Sequence, residues 1–182
     1  MPVLHRLAET NLPHKAYFLC LSADGNVILA GTGKGEATLL SPDLKVTGSF
    51  RLDVHAGCMA VNSDGSMIAV SSEDQIILVT GDGKVTSRLS HPSWPYGGQG
   101  GCLFDRKHPW LWAIVPPKHI GQPELQLIDP RNCEVIEGQR LPVEPDCGFF
   151  IEPHPEGKWL RSGLAQGKTG NGFCGVVTWR SM

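Results

Sequence analysis

His55 and Cys58 offer two metal-ligand types in a His-x-x-Cys spacing. A closed structural zinc site needs four ligands in a tetrahedral array. The chain has no Cys-x-x-Cys and no second close pair, so no metal is expected. Cys20, Cys58, Cys102, Cys133, Cys147 and Cys174 lie far apart, and the N-terminus has no apolar signal core. They read as reduced, mostly buried thiols, with Cys58, Cys102 and Cys147 at similar places in a recurring strand. Gly167-Lys168-Thr169 has the last three residues of a phosphate-binding loop. That motif needs another glycine where this chain has Ser162, and Gly163 is one place too close. Gly170-Asn171-Gly172 follows and opens a helix poorly, so a turn is expected there, as at Gly31-Thr32-Gly33-Lys34-Gly35. His5, His14, His55, His91, His108, His119 and His154 are scattered, and no Gly-x-Ser-x-Gly elbow is present. No catalytic residue and no cofactor are therefore expected. Glu73-Asp74 falls in a polar turn, and Asp24, Asp64 and Asp82 sit beside glycine, where turn chemistry explains a carboxylate.

The elements that hold these residues are read from composition and pattern. The chain has 182 residues, 41% hydrophobic and 19% charged, with 22 Gly and 14 Pro spread along it. This is the profile of one turn-rich all-β domain, residues 1–182. Sixteen Lys and Arg against 18 Asp and Glu leave a net charge of −2, with no general basic field for nucleic acid. No apolar run approaches the roughly 20 residues of a membrane span, and the cytoplasm is the expected location.

The chain repeats itself. Ser22-Ala23-Asp24-Gly25 before Asn26–Ala30 returns 40 residues later as Asn62-Ser63-Asp64-Gly65 before Ser66–Val70. Looser copies are Asp105–Pro109 before Trp110–Ile114, and Glu152–Gly157 before Lys158–Leu160. Each joins two apolar strands by a polar turn, and Asp-Gly supplies positive φ for a tight hairpin. Pro42-Asp43-Leu44, Gly81-Asp82-Gly83 and Asp129–Asn132 punctuate a second hairpin in three units. Four units of four strands, a to d, follow: about 12–52, 53–92, 93–143 and 144–182. No window sustains a helical period. Unit four stops at its third strand, Phe173–Arg180, and the N-terminal segment 2–8 has the form of its missing d strand.

His55–Gly65 resembles the start of a WD-repeat β-propeller blade, with His and Gly before strand a and a Ser-Asp-Gly turn after it. Val176–Arg180 resembles such a blade's strand-c ending, with Trp179 at the Trp position and Arg180 in place of the usual Asp. The turns between strands c and d are similar to those of YVTN and quinoprotein-like propellers. The resemblance implies an all-β propeller of about four antiparallel four-stranded blades, closed by the N-terminal strand, completed by a second copy, or forming part of a ring that a partner finishes.

On that resemblance the d–a connections surround one mouth of the channel. They carry the candidate ligand- or partner-binding residues His14, His55, Trp94, Tyr96, Gln99 and Asp146, with Trp94 and Tyr96 as aromatic interface anchors. Trp110, Trp112, Trp159 and Trp179 are expected in the core. The proline-rich b–c loop 116–123 is expected on the opposite face. The leading expectation is a non-catalytic scaffold binding another protein or a peptide. A lactonase-like hydrolase using His14, His55, Glu144 and Asp146, and a self-assembling structural protein, are the alternatives.

Overall fold

A computed structural model of the chain describes residues 9–22, 24–94, 100–117, 121–141, 148–153 and 160–165. Every regular element among them is a β-strand. Strands β1 (Phe18–Leu21), β2 (Ile28–Gly31), β3 (Glu36–Leu40) and β4 (Val46–Arg51) form the first sheet. The second contains β5 (Ala56–Val61), β6 (Met67–Ser72), β7 (Gln75–Thr80) and β8 (Val85–Ser90). The third contains β9 (Cys102–Phe104), β10 (Leu111–Val115), β11 (Glu124–Asp129) and β12 (Glu134–Arg140). A hairpin of β13 (Gly148–Pro153) and β14 (Leu160–Ala165) begins the fourth. All pairings are antiparallel between consecutive strands. Segment 2–8 and Phe173–Arg180, expected to complete the fourth blade, lie outside the described residues.

Local chemistry explains each hairpin. In the a–b turns Gly25 and Gly65 both take φ 75°. The Asp24 carboxylate accepts the Asn26 N–H at 2.9 Å, and Asp64 accepts the Ser66 N–H at 3.0 Å. The Ser22 hydroxyl accepts the Val27 N–H at 2.9 Å, and the Asn62 side chain accepts the Met67 N–H at 3.0 Å, at the same place one repeat on. Hydrogen bonds from Ser22 to Asp24 and from Ser66 to Asp64 lower both carboxyl pKa values, as Thr80 does for Asp82 in a c–d turn. These carboxylates serve turns, as expected. Leu44, Gly83 and Cys133 hold positive φ in the three c–d turns. A register shift follows Leu39, Leu78 and Leu127 on the c strand of each blade. The repeat therefore extends to its irregularities.

Side chains alternate between the two faces of each sheet, and the sheets stack on those faces. Leu29, Ala37 and Leu39 of blade 1 pack on Met59, Val61, Ile68, Val70, Ile77 and Val79 of blade 2. The other face of blade 2 packs Ala60, Ala69, Ile76 and Leu78 on Cys102, Phe104, Leu111 and Ala113 of blade 3. Trp112, Ile114, Leu125 and Leu127 continue from blade 3 to Ile151 of the fourth unit. The innermost strands β1, β5, β9 and β13 lie side by side in that order.

The cysteine register differs from the expectation. Asp105 occupies the turn position of Asn62, since their N–H groups donate to Trp110 and Met67 five residues on. Counting back, Cys102 matches Met59 rather than Cys58. A one-residue offset moves a side chain to the other face. Cys58 and Cys102 thus meet across the gap between blades 2 and 3, and the Cys58 thiol lies 3.8 Å from the Cys102 carbonyl. Cys147 lies outside the described residues.

Candidate partner-binding face

Four strands running alternately up and down place a–b and c–d turns at one end of a blade. The b–c turns and d–a connections fall at the other. Backbone hydrogen bonds tie these two sets together. The N–H groups of Leu52 and Ala56 donate to the carbonyls of Gly35 and Gly33 at 2.9 and 3.0 Å. Those of His91 and Trp94 donate to Asp74 and Glu73 at 2.9 and 3.1 Å. Leu141 donates to Pro123 at 2.7 Å. The proline-rich b–c loop therefore shares the d–a face, which corrects its expected placement on the opposite one. Gly35 shows how close the approach is. It holds φ +76°, and a Cβ there would run into the Leu52 and Val54 carbonyls.

This face bears a groove of about 730 Å³ at the junction of blades 1 and 2. Tyr17, Phe18 and Ala56 supply its apolar surface; Lys15, Lys34 and His55 stand around it with Thr32, Gly33 and Glu36. The Thr32 hydroxyl accepts the N–H groups of Lys34 and Glu36 at 3.1 and 3.3 Å, which sets the turn that presents Lys34. Thr32 also donates to the Glu36 carboxylate at 3.2 Å, and Arg51 lies 3.8 Å from that carboxylate's other oxygen. The Lys15 ammonium sits 5.6 Å from the centre of the Tyr17 ring, a cation–π distance. A smaller groove of about 280 Å³ lies on the other side of His55, lined by Glu73, Asp74 and Gln75.

His55 thus stands between a lysine-rimmed groove and an acidic one. His14 has a different setting: its Nε2 shares a 3.3 Å hydrogen bond with the Thr38 hydroxyl on the sheet of blade 1. Trp94 is 3% exposed and packs with Trp112, Ile114 and Leu141, so its indole is core rather than an exposed anchor. Trp112 is buried as expected, and Trp110 is half-buried and stacks on His108 at 4.7 Å. Tyr96, Gln99, Asp146 and Glu144 lie outside the described residues, as do Trp159 and Trp179. Lys15, Tyr17, Lys34 and Glu36 were not singled out as site residues. The run Gly31–Gly35 was visible, but only the parity of the meander places it beside the d–a connections.

Cys20 and Cys102 on the inner strands are poor nucleophiles, whereas the hydrogen bond with Cys102 lowers the Cys58 pKa. Burial pushes Cys20 up to about 12, and the hydrogen bond with Cys58, together with burial, pushes Cys102 well up. Among the described residues no group of three His, Cys, Asp or Glu is arranged to hold a metal.

The WD40 domain of Toxoplasma gondii coronin superposes with a TM-score of 0.64 at 11% identity, over 94% of this chain and 47% of that one. The β-propeller is the fold of this chain. The propeller domain of Myceliophteria thermophila Cps50 (Swd1) matches with a TM-score of 0.60 at 18% identity, over 80% of this chain and 48% of that one. Kuenenia stuttgartiensis hydrazine synthase matches with a TM-score of 0.62 at 19% identity, over 89% and 45%. The chain thus spans about half the length of the solved propellers it matches. No family model and no curated protein matches it.

Proposed function

We propose that this propeller is a non-catalytic binding module whose groove between blades 1 and 2 takes an extended acidic segment of another protein. The groove's composition carries the reading: Lys15 and Lys34 stand beside an apolar floor that includes the exposed Tyr17 ring. Lysines beside an exposed aromatic suit a carboxylate-bearing peptide with one large apolar side chain. The fold alone does not decide function, since an enzyme and WD40 domains both share it. The free thiols of Cys20, Cys58, Cys102 and Cys133 support a reducing compartment such as the cytoplasm.

The test is selection of a random peptide display library against the folded chain, followed by affinity measurement with the recovered peptides. Recovery of Asp- or Glu-rich sequences flanking an aromatic is expected. Lys15→Glu with Lys34→Glu is expected to weaken them on the order of tenfold or more, with the loss growing at low salt. Peptides that bind the double variant equally well would place recognition elsewhere on the molecule.

A further inference from the structure

The repeat lets the gap between blades 1 and 2 be read against the gap between blades 2 and 3. Cys58 stands one repeat after Phe18, and the registers agree, since Phe18 pairs with Gly31 and Cys58 with Ser71. Cys102 stands at the position of Met59, since Met59 pairs with Val70 and Cys102 with Ala113. Blade stacking has a direction. Blade 2 offers Cys58 and Ala60 to blade 3, whose receiving face carries Cys102 and Phe104. The same two places across the first gap hold Phe18, offered by blade 1, and Met59, on the receiving face of blade 2. Of the two gaps, the second has a thiol at both places.

The strands that carry the pair, β5 and β9, are the innermost of their sheets and lie side by side. The Cys58 thiol lies 3.8 Å from the Cys102 carbonyl, and the Cys102 thiol lies 3.8 Å from the Ala69 carbonyl. The two thiols also share a hydrogen bond. A register shift between Ala56 and Cys58 interrupts the ladder beside the first thiol, where a strand bends most easily. The two sulfurs differ in exposure: Cys58 is half-buried and Cys102 is buried. The hydrogen bond from Cys102 holds the Cys58 pKa below the ordinary thiol value against the opposing effect of burial. A half-exposed thiol of lowered pKa beside a buried second thiol has the form of a peroxide-sensitive pair. Cys20 packs in the other gap, and burial keeps it protonated.

We propose that Cys58 and Cys102 form an oxidation site at which a peroxide closes a disulfide that ties blade 2 to blade 3. The Cys58 thiolate attacks one peroxide oxygen, the O–O bond breaks, and the departing hydroxide takes up a proton to become water. Cys58 is then a sulfenic acid. The Cys102 sulfur attacks the Cys58 sulfur, the S–O bond breaks, and the Cys102 proton leaves with the hydroxyl as a second water. Each sulfur gives up one electron and the peroxide takes up both. Burial makes Cys102 slow toward solvent, but its target here is the neighbouring sulfur, already held within reach. In a reducing compartment the pair rests as thiols, and a reductant restores them. This goes beyond the groove reading and does not rest on it.

Brief treatment of the folded full chain with hydrogen peroxide, read by intact mass and by tryptic mapping without reductant, tests the proposal. The expected result is a loss of two hydrogen atoms and a link between the peptides carrying Cys58 and Cys102, reversed by dithiothreitol. Cys102→Ser is expected to abolish the link and leave Cys58 as a sulfenic acid that dimedone labels ahead of Cys133. Cys20→Ser is expected to leave the link in place. A folded chain that forms no link, a link from Cys58 to Cys20 or Cys133, or a link that forms only in urea would each overturn the proposal. So would a Cys102→Ser chain in which dimedone labels Cys133 ahead of Cys58. Mapping of the unsubstituted chain decides the matter even where a variant does not fold.

Discussion

Blades 1 and 2 are built from the same strand grammar, with the same turns and the same register shift, yet they differ in how their receiving faces are buried. Met59 of blade 2 lies under its neighbour, while Leu19 at the matching position of blade 1 stands in the open. The difference is not one of propensity, since both are large flexible apolar residues on an innermost strand. It comes from what lies next door. A blade cannot bury two faces by itself, because a sheet has a partner on a face only where another layer is stacked on it.

The largest effect separating the two blades is expected from a cavity. Ile68→Ala, at a fully buried position, should lower stability by about 2–5 kcal/mol in urea unfolding. Leu19→Ala, at an exposed position, should stay within about 0.5 kcal/mol. Similar costs at the two sites would mean that blade 1's outer face is covered within a single chain.

A smaller effect separates two glycines of one turn. Gly35→Ala should cost about 1–3 kcal/mol, because φ +76° and the nearby Leu52 and Val54 carbonyls both oppose a side chain. Gly33→Ala meets only the Ala56 carbonyl at 3.8 Å, an ordinary contact, and should be nearly silent in thermal melts. Equal tolerance would break the claim that the d–a connection is pinned on the b–c turn.

A pH effect should mark the junction between blades 2 and 3. Burial lowers the pKa of His91, whose Nδ1–H donates to the Pro92 carbonyl at 2.8 Å while its buried Nε2 has no partner. The folded chain thus binds a proton there less readily than the unfolded chain. Stability from this group is complete above the ordinary imidazole value of about 6.5 and falls as pH drops toward the lowered one. His91→Gln should flatten that part of the stability profile. An unchanged slope would assign it to other groups.

The smallest effect on stability is expected at Lys34. Lys34→Ala should move urea unfolding by no more than about 0.5 kcal/mol, as exposed substitutions do, while still weakening peptide capture. A large loss of stability would make Lys34 part of the scaffold rather than of the groove.

Strand placement was legible because hairpin chemistry is local: an Asp-Gly pair supplies both positive φ and a carboxylate for the next N–H, so Ser22–Gly25 and Asn62–Gly65 identify the same turn. The candidate face was legible only in part. His55 was singled out through its place before strand a. Lys15, Tyr17 and Lys34 were not singled out, because the groove they share depends on which hairpins end together in space. Trp94 misled because it lies in a loop rich in Pro and Gly, where an aromatic reads as a rim anchor. The gap beside Trp112 and Leu141 takes its indole instead, and burying so large an apolar ring outweighs exposure.

By itself the sequence determined the strands, the turns and the repeat of blades, because each rests on backbone preferences and alternation within a few residues. Tertiary structure decided three things: which end of each blade gathers the loops, which thiols face one another, and which inner-strand side chains stay exposed. These depend on strand parity and on the presence of a neighbouring layer, neither of which any short stretch of residues contains.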